Sequence, residues 1–181
     1  MQKVLFFLAE LSDADLDWLI SAGEKRAVPA GTVLIREAQP VDALYILLNG
    51  TLVVMVEAMG DRELAHLHSG EVVGEMSFIE SRLPSATVKA LEPSLVLALP
   101  RQMLTTKLEQ DVGFASRFHR ALAVLLSSRL RGTVRQLGDG PADSSNHRSR
   151  SEVEDGSGSP VRAIAETRLQ YLMEQLGVEC R

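Results

Sequence analysis

Residues 70–90 read GEVVGEMSFIESRLPSATVKA, and the fold of the chain turns on this stretch. Gly74 precedes Glu75, and residues 76–80 make one short apolar helical turn. A helix start presents backbone N–H groups that lack intrahelical partners, together with the positive end of the peptide dipoles, so it accepts an anion. A carboxylate at that point, Glu75, accepts hydrogen bonds from sugar hydroxyls. Pro84-Ser85-Ala86 then lead through small residues into a β-type run from Thr87. Two readings fit these residues: a cradle for a phosphate and a sugar, or a loop that only joins two strands.

Around this stretch, residues 25–99 have the texture of an all-β domain. Short β-rich runs at 32–35, 44–48, 52–56, 63–67, 86–90 and 95–99 are separated by turn signals. The signals are Pro29-Ala30-Gly31, Asn49-Gly50, Gly60-Asp61, Ser69-Gly70 and Pro93-Ser94. Asn49-Gly50 between two apolar runs predicts a hairpin with a type I′ turn, because both residues tolerate positive φ. Many short strands at regular spacing predict a sandwich, barrel or jelly roll.

Helical patterns flank this region. Ser12 and Asp13 before Leu16, Leu19 and Ile20 predict a short capped helix. Residues 101–109 predict a second short helix and 111–137 a long one. On the long helix Phe114, Phe118, Leu122, Leu125, Leu126, Leu130, Val134 and Leu137 recur at threes and fours. Such a stripe needs a partner, either the chain's own β-domain or the same helix of a second copy. Residues 138–160 are rich in Gly, Ser, Asp and Pro and read as a linker. A final amphipathic helix follows, with Val161, Ile164, Ala165, Leu169, Leu172, Met173 and Leu176 on one face. The expected division is therefore 1–137 for the domain with its long helix, 138–160 for the linker and 161–181 for the tail helix.

Composition narrows the class. The 181 residues carry a net charge of −5 and are 45% hydrophobic, which suits a globular domain with an appendage. No apolar run reaches bilayer-spanning length. The opening MQKVLFFLAELSDADL lacks a small-residue cleavage site and turns acidic at once, unlike a signal peptide. Cys180 is the single cysteine, so no disulfide forms within the chain, and a cytoplasmic location without membrane association is expected. The mild acidity argues against general nucleic-acid binding.

Residues 70–90 resemble the phosphate-binding cassette of the cyclic-nucleotide-binding domain family. That cassette has the form Gly-Glu-apolar-small-x-apolar, then Arg-small-Ala-Thr-Val. Gly31, Leu34, Glu37, Tyr45, Ile46 and Gly50, and the helix opening at Leu11-Ser12, stand in the same family arrangement. Residues 129–134 (RLRGTV) resemble the dimerising helix of the catabolite-activator branch. The resemblance extends over residues 5–137. It implies an α+β, mainly β fold: a jelly-roll-like β-roll with N-terminal helices and a long C-terminal helix. It implies that Glu75, after Gly74, binds the ribose 2′-hydroxyl, and that the backbone N–H groups of Met76, Ser77 and Ala86 face the cyclic phosphate. Ser85 stands where some members contact phosphate or guanine with a hydroxyl, before Thr87. Thr133 stands where the catabolite-activator branch reads the adenine amino group.

There is one departure. The family's phosphate arginine is Pro84 here. A guanidinium makes two charge-assisted bonds to phosphate and proline makes none. Each such bond contributes roughly 1.5–3 kcal/mol, so its loss costs about tenfold or more in affinity. Arg82, two residues earlier, either swings in to replace it or stays on the surface.

Other constellations carry less. His66 and His68 share one strand face near Glu71, as in the first metal motif of cupins, but no second histidine motif follows. Neither Gly-x-Ser-x-Gly nor a P-loop occurs. Arg129, Arg131 and Arg135 read as a solvated helical face. The expectation is a regulatory module, not an enzyme, with no metal or cofactor. It senses cyclic AMP or cyclic GMP, pairs as a homodimer through the long helix, and signals to a protein partner through its tail helix. The alternative is a dimerisation module that kept the fold and lost the site. A DNA-reading role needs a helix-turn-helix domain, for which too little chain follows the long helix.

Overall fold

A computed structural model of the protein describes residues 6–56, 60, 62–138 and 160–178. Two short helices lead, α1 (Phe6–Ala9) and α2 (Asp13–Ala22). Ser12 opens α2 with a reciprocal cap: its hydroxyl accepts from the Asp15 amide at 3.2 Å, and its own amide donates to Asp15 Oδ2 at 2.7 Å. Then come β1 (Glu24–Val28), β2 (Val33–Ile35), β3 (Ala43–Asn49), β4 (Leu52–Val56), β5 (Arg62–Leu67) and β6 (Val72–Val73). Helix α3 (Glu75–Glu80), β7 (Thr87–Ala90), β8 (Ser94–Pro100), α4 (Arg101–Gln110), α5 (Val112–Gly138) and α6 (Pro160–Gln175) complete the chain.

The strands form two antiparallel four-stranded sheets, ordered β1-β8-β3-β6 and β2-β7-β4-β5. This is the expected β-roll. The first sheet is the middle of three layers. Leu44, Ile46, Leu48, Leu97 and Leu99 face the helices, packing with Phe7, Leu16, Phe114 and Phe118. Ala43, Tyr45, Leu47, Val96 and Ala98 face the second sheet, against Ile35, Leu52 and Val88. With both faces covered, β3 and β8 read as unbroken apolar runs rather than alternating ones.

Asn49-Gly50 is not the hairpin turn expected. β3 and β4 belong to different sheets, and Asn49 itself continues the ladder opposite Leu95. Gly50 takes φ 102° and passes so close to Ser94 that an added Cβ would lie 2.8 Å from its Cα. Glycine is needed here because the chain crosses from one sheet to the other with no room for a side chain. The hairpin between consecutive strands is β4–β5, with Gly60 at φ 73° near its tip.

Helix α6 packs into the same core as the N-terminal helices. Leu172 is fully buried in the cluster that holds Phe7, Leu8, Phe114 and Phe118. The Gly- and Ser-rich residues 139–159 lie outside the described residues, as do Cys180 and Asp61. Among the described residues no helix is long and apolar enough to cross a membrane.

Candidate functional site

The stretch 70–90 forms one continuous turn between the sheets: β6, α3, a loop, and β7. Gly74 joins β6 to α3 at φ 91°. A Cβ there would sit 3.1 Å from the Ala43 carbonyl oxygen, so both the backbone angle and the space select glycine. That turn aims the Glu75 side chain inward, where only 5% of it is exposed. At the far end of α3, Arg101 holds the helix in place. Its guanidinium donates to the Ser77 carbonyl at 3.0 Å and lies 5.3 Å over the Phe78 ring. Those are the carbonyls a helix C-terminus leaves open, and a cation there opposes the dipole.

Arg129 of α5 occupies the Glu75 carboxylate. Its Nη1 donates to Glu75 Oε1 and its Nη2 to the Val72 carbonyl at 2.5 Å. Glu71 Oε2 lies 3.9 Å from the same guanidinium. Two buried carboxylates therefore share one arginine. Burial pushes the Glu71 carboxyl up to about 7, the neighbouring Glu75 adds to this, and Arg129 and the His68 amide pull against it.

The second half of the cassette is tied to the loop before β3. The Ala38 amide donates to the Pro84 carbonyl at 2.9 Å, and the Glu37 amide donates to Thr87 Oγ1 at 2.9 Å. Thr87 is buried, Ala86 half-buried and Ser85 exposed. Arg82 points outward: its side chain is 82% exposed and its nearest carboxylate is Glu80 at 3.9 Å. Of α3, Ser77 is buried and Met76 exposed. Thr133 is exposed one turn beyond Arg129, its hydroxyl donating to the Arg129 carbonyl at 3.2 Å.

Glu75, Ser77 and Thr87 are thus each buried along the stretch from β6 to β7, while Arg82 is exposed. Arg129, expected on a solvated helical face, keeps 31% of its side chain exposed while its guanidinium bonds the buried Glu75. Its position was legible in the helical phase: Phe118, Leu122, Leu125 and Arg129 follow one another at four, three and four residues. The first three are buried, and Arg129 extends their face. Leu130 and Val134, counted in the stripe, are instead 65% and 59% exposed. His66 sits on Glu63 at 3.3 Å on an exposed strand, and His68 is exposed too, whereas Glu71 turns into the interior. Among the described residues no group of three or more His, Cys, Asp or Glu could hold a metal ion.

Two antiparallel four-stranded sheets, helices at both ends and a Gly-Glu turn opening a short helix between β6 and β7 define a jelly-roll-like β-roll. Residues 25–111 match the model of the cyclic nucleotide-binding domain, and the chain carries a domain of that family. An uncharacterized NTE family protein of Mycobacterium tuberculosis is 32% identical over 130 residues, covering 71% of this chain and 22% of that protein. The cAMP-activated global transcriptional regulator CRP of Pasteurella multocida is 28% identical over 128 residues, covering 69% of this chain and 59% of the regulator. The crystal structure of a cyclic nucleotide-binding domain from Methylobacillus flagellatus superposes with a TM-score of 0.67 at 24% identity, over 79% of this chain and 85% of that one. The chain thus spans about a fifth of the mycobacterial relative and somewhat over half of the regulator.

Proposed function

We propose that this chain is a cyclic-nucleotide-responsive regulatory module that acts without catalysis of its own. The observation that carries this reading is Glu75, set on α3 by the left-handed Gly74 and buried inside a matched cyclic nucleotide-binding domain. A buried carboxylate at that point accepts the hydroxyls of a ribose. Ser77, Ala86 and Thr87 would line the phosphate side. Binding of the sugar competes with Arg129 for Glu75, so ligand and helix position are linked: the ligand favours whichever α5 position leaves Glu75 open. The shift passes to a partner protein through the C-terminal helices. The long helices pair in a homodimer, supported by the exposed Leu130 and Val134 on α5. The ligand is cyclic AMP or cyclic GMP, read at Ser85 and Thr133, and the module works in the cytoplasm.

A second reading has its own support. Pro84 removes the phosphate cation, Arg82 points away, and Arg129 already satisfies Glu75. In this reading the domain is a ligand-free dimerisation module.

Calorimetric titration with cyclic AMP and cyclic GMP separates the two. Micromolar binding that is lost in Glu75→Ala supports the sensor. Absence of heat and of any thermal shift at millimolar nucleotide supports the ligand-free module. A monomer by sedimentation at micromolar protein contradicts pairing in either case.

A further inference from the structure

Helix α6 returns from beyond residues 139–159 to dock on α1 and α2, and it does so with polar as well as apolar contacts. Arg168 donates to the carbonyls of Leu8 at 3.0 Å and Ala9 at 2.8 Å, closing the open end of α1. Tyr171 donates to Asp17 Oδ1 at 2.6 Å, and Lys25 Nζ of β1 donates to the Leu176 carbonyl at 2.6 Å. Leu172 sits fully buried beneath these bonds.

The helices that α6 holds are the ones that hold α5. Phe7 of α1 meets Phe118 edge-on at 5.6 Å, Glu10 pairs with Arg120 at 2.7 Å, and Asp15 of α2 accepts Arg117 at 2.6 Å. Phe118 also meets Phe78 of α3 at 6.1 Å. Eleven residues further along, α5 places Arg129 on Glu75. A continuous set of packed groups therefore runs from α6 through α1 and α5 to Glu75 and Phe78 of α3.

We propose that α6 is a built-in effector: its docking on α1 and α2 holds α5 where Arg129 occupies Glu75, and its release opens the sugar-binding carboxylate. The nucleotide side of this inference rests on the sensor reading above. Linkage makes the effect reciprocal, so occupation of Glu75 by a ribose loosens α6 by the same factor that loss of α6 tightens the ribose.

The test uses the full chain with Arg168→Gln and Leu172→Ala, and with Ile164→Ala, at a 46% exposed site on α6, as control. Arg168→Gln removes only polar contacts and keeps the protein folded if Leu172→Ala does not. Amide exchange is followed without nucleotide, then cyclic AMP is titrated. Expected is exchange at least tenfold faster in residues 75–80 and 126–138 as well as in α1 and α2, and severalfold tighter cyclic AMP. Faster exchange confined to α1, α2 and α6 overturns the coupling. Faster exchange in α3 and α5 with cyclic AMP binding unchanged overturns the claim that docking closes the site. If neither protein binds cyclic AMP, the sensor reading falls while the exchange result alone decides the coupling.

Discussion

Arg129 reaches from the long helix α5 to the buried carboxylate of Glu75, 54 residues earlier in the chain, and in the same grip bonds the Val72 carbonyl and faces Glu71. One guanidinium thereby fixes the helix, the end of β6 and the start of α3. Removing it leaves two buried acids without a cation. Breaking one partner of a buried pair costs about 3–5 kcal/mol, and the arginine side chain is 31% exposed, which favours the lower end. Arg129→Gln is expected to lower unfolding free energy by about 3 kcal/mol in urea titration. Adding Glu75→Gln to it should recover part of the loss, because the pair is coupled. Strict additivity of the two changes would contradict the pairing.

Glu71 makes stability fall as pH rises through a defined window. The unfolded chain ionises this residue near 4.5, whereas the folded protein keeps it protonated up to about 7. Between those values the folded state holds more protons, so stability declines from pH 4.5 to 7 and is flat above. The difference is on the order of 3 kcal/mol. Glu71→Gln is expected to remove this decline and to be the more stable protein at pH 8, with little difference at pH 4. Urea unfolding at several pH values checks it, and parallel curves would rule it out.

Asp15 works in the opposite sense and at lower pH. Burial alone would raise its carboxyl, but the bonds from Arg117 and from Ser12 outweigh burial and bring it to about 2. The stability it confers is present above 3.8 and is lost as pH falls towards 2. Asp15→Asn is expected to cost about 2 kcal/mol at pH 7, the Arg117 side being partly exposed, and nothing below pH 2. It also weakens the α2 cap, visible as faster amide exchange in residues 13–16.

Much of this was legible in the sequence, and the gaps have physical causes. The Ser12 cap, β4 and the long helix follow from local signals, since capping, a short run of β-branched and apolar residues and a period near 3.6 are each written in a few neighbouring residues. β1 was not seen because EKRAV is an edge strand with four exposed positions out of five, where charge guards against further pairing. β6 has two residues and owes its existence to the Tyr45 and Ile46 ladder. The turn at Asn49-Gly50 has a hairpin composition, yet the glycine serves a crossing between sheets next to Ser94. Family pattern marked Glu75 as a site residue but said nothing of its occupant. Arg129 shares its local composition with Arg131 and Arg135, and only its phase with the buried Phe118, Leu122 and Leu125 sets it apart.

Gly74→Ala tests whether the turn before α3 sets Glu75. The substitution forces an L-residue to φ 91° and brings its Cβ to 3.1 Å from the Ala43 carbonyl. A non-glycine residue in that region costs about 1–3 kcal/mol. A loss of about 2 kcal/mol by thermal or urea unfolding is expected, with faster exchange in residues 75–80. A neutral substitution would mean that the turn relaxes without moving α3.

Pro84→Arg asks whether the cassette lacks only its phosphate cation. Pro84 is half-buried, and its structural bond, to the Ala38 amide, uses the carbonyl that any residue has. Arginine at this position therefore keeps that bond and adds a guanidinium beside Ser85 and Ala86. A charge-assisted bond to phosphate contributes about 1.5–3 kcal/mol, so cyclic nucleotide affinity should rise about tenfold or more over the natural chain. The rise should vanish with cyclic nucleotide replaced by the uncharged nucleoside, because only the phosphate meets the new cation. It should also be larger when combined with Arg129→Gln, which frees Glu75 for the ribose, provided the double variant remains folded by near-ultraviolet circular dichroism. Unchanged affinity would mean that the new guanidinium does not meet the phosphate, and absence of binding in both backgrounds would mean that the stretch between β6 and β7 does not admit a nucleotide at all and that the ligand-free module is the correct account of the domain.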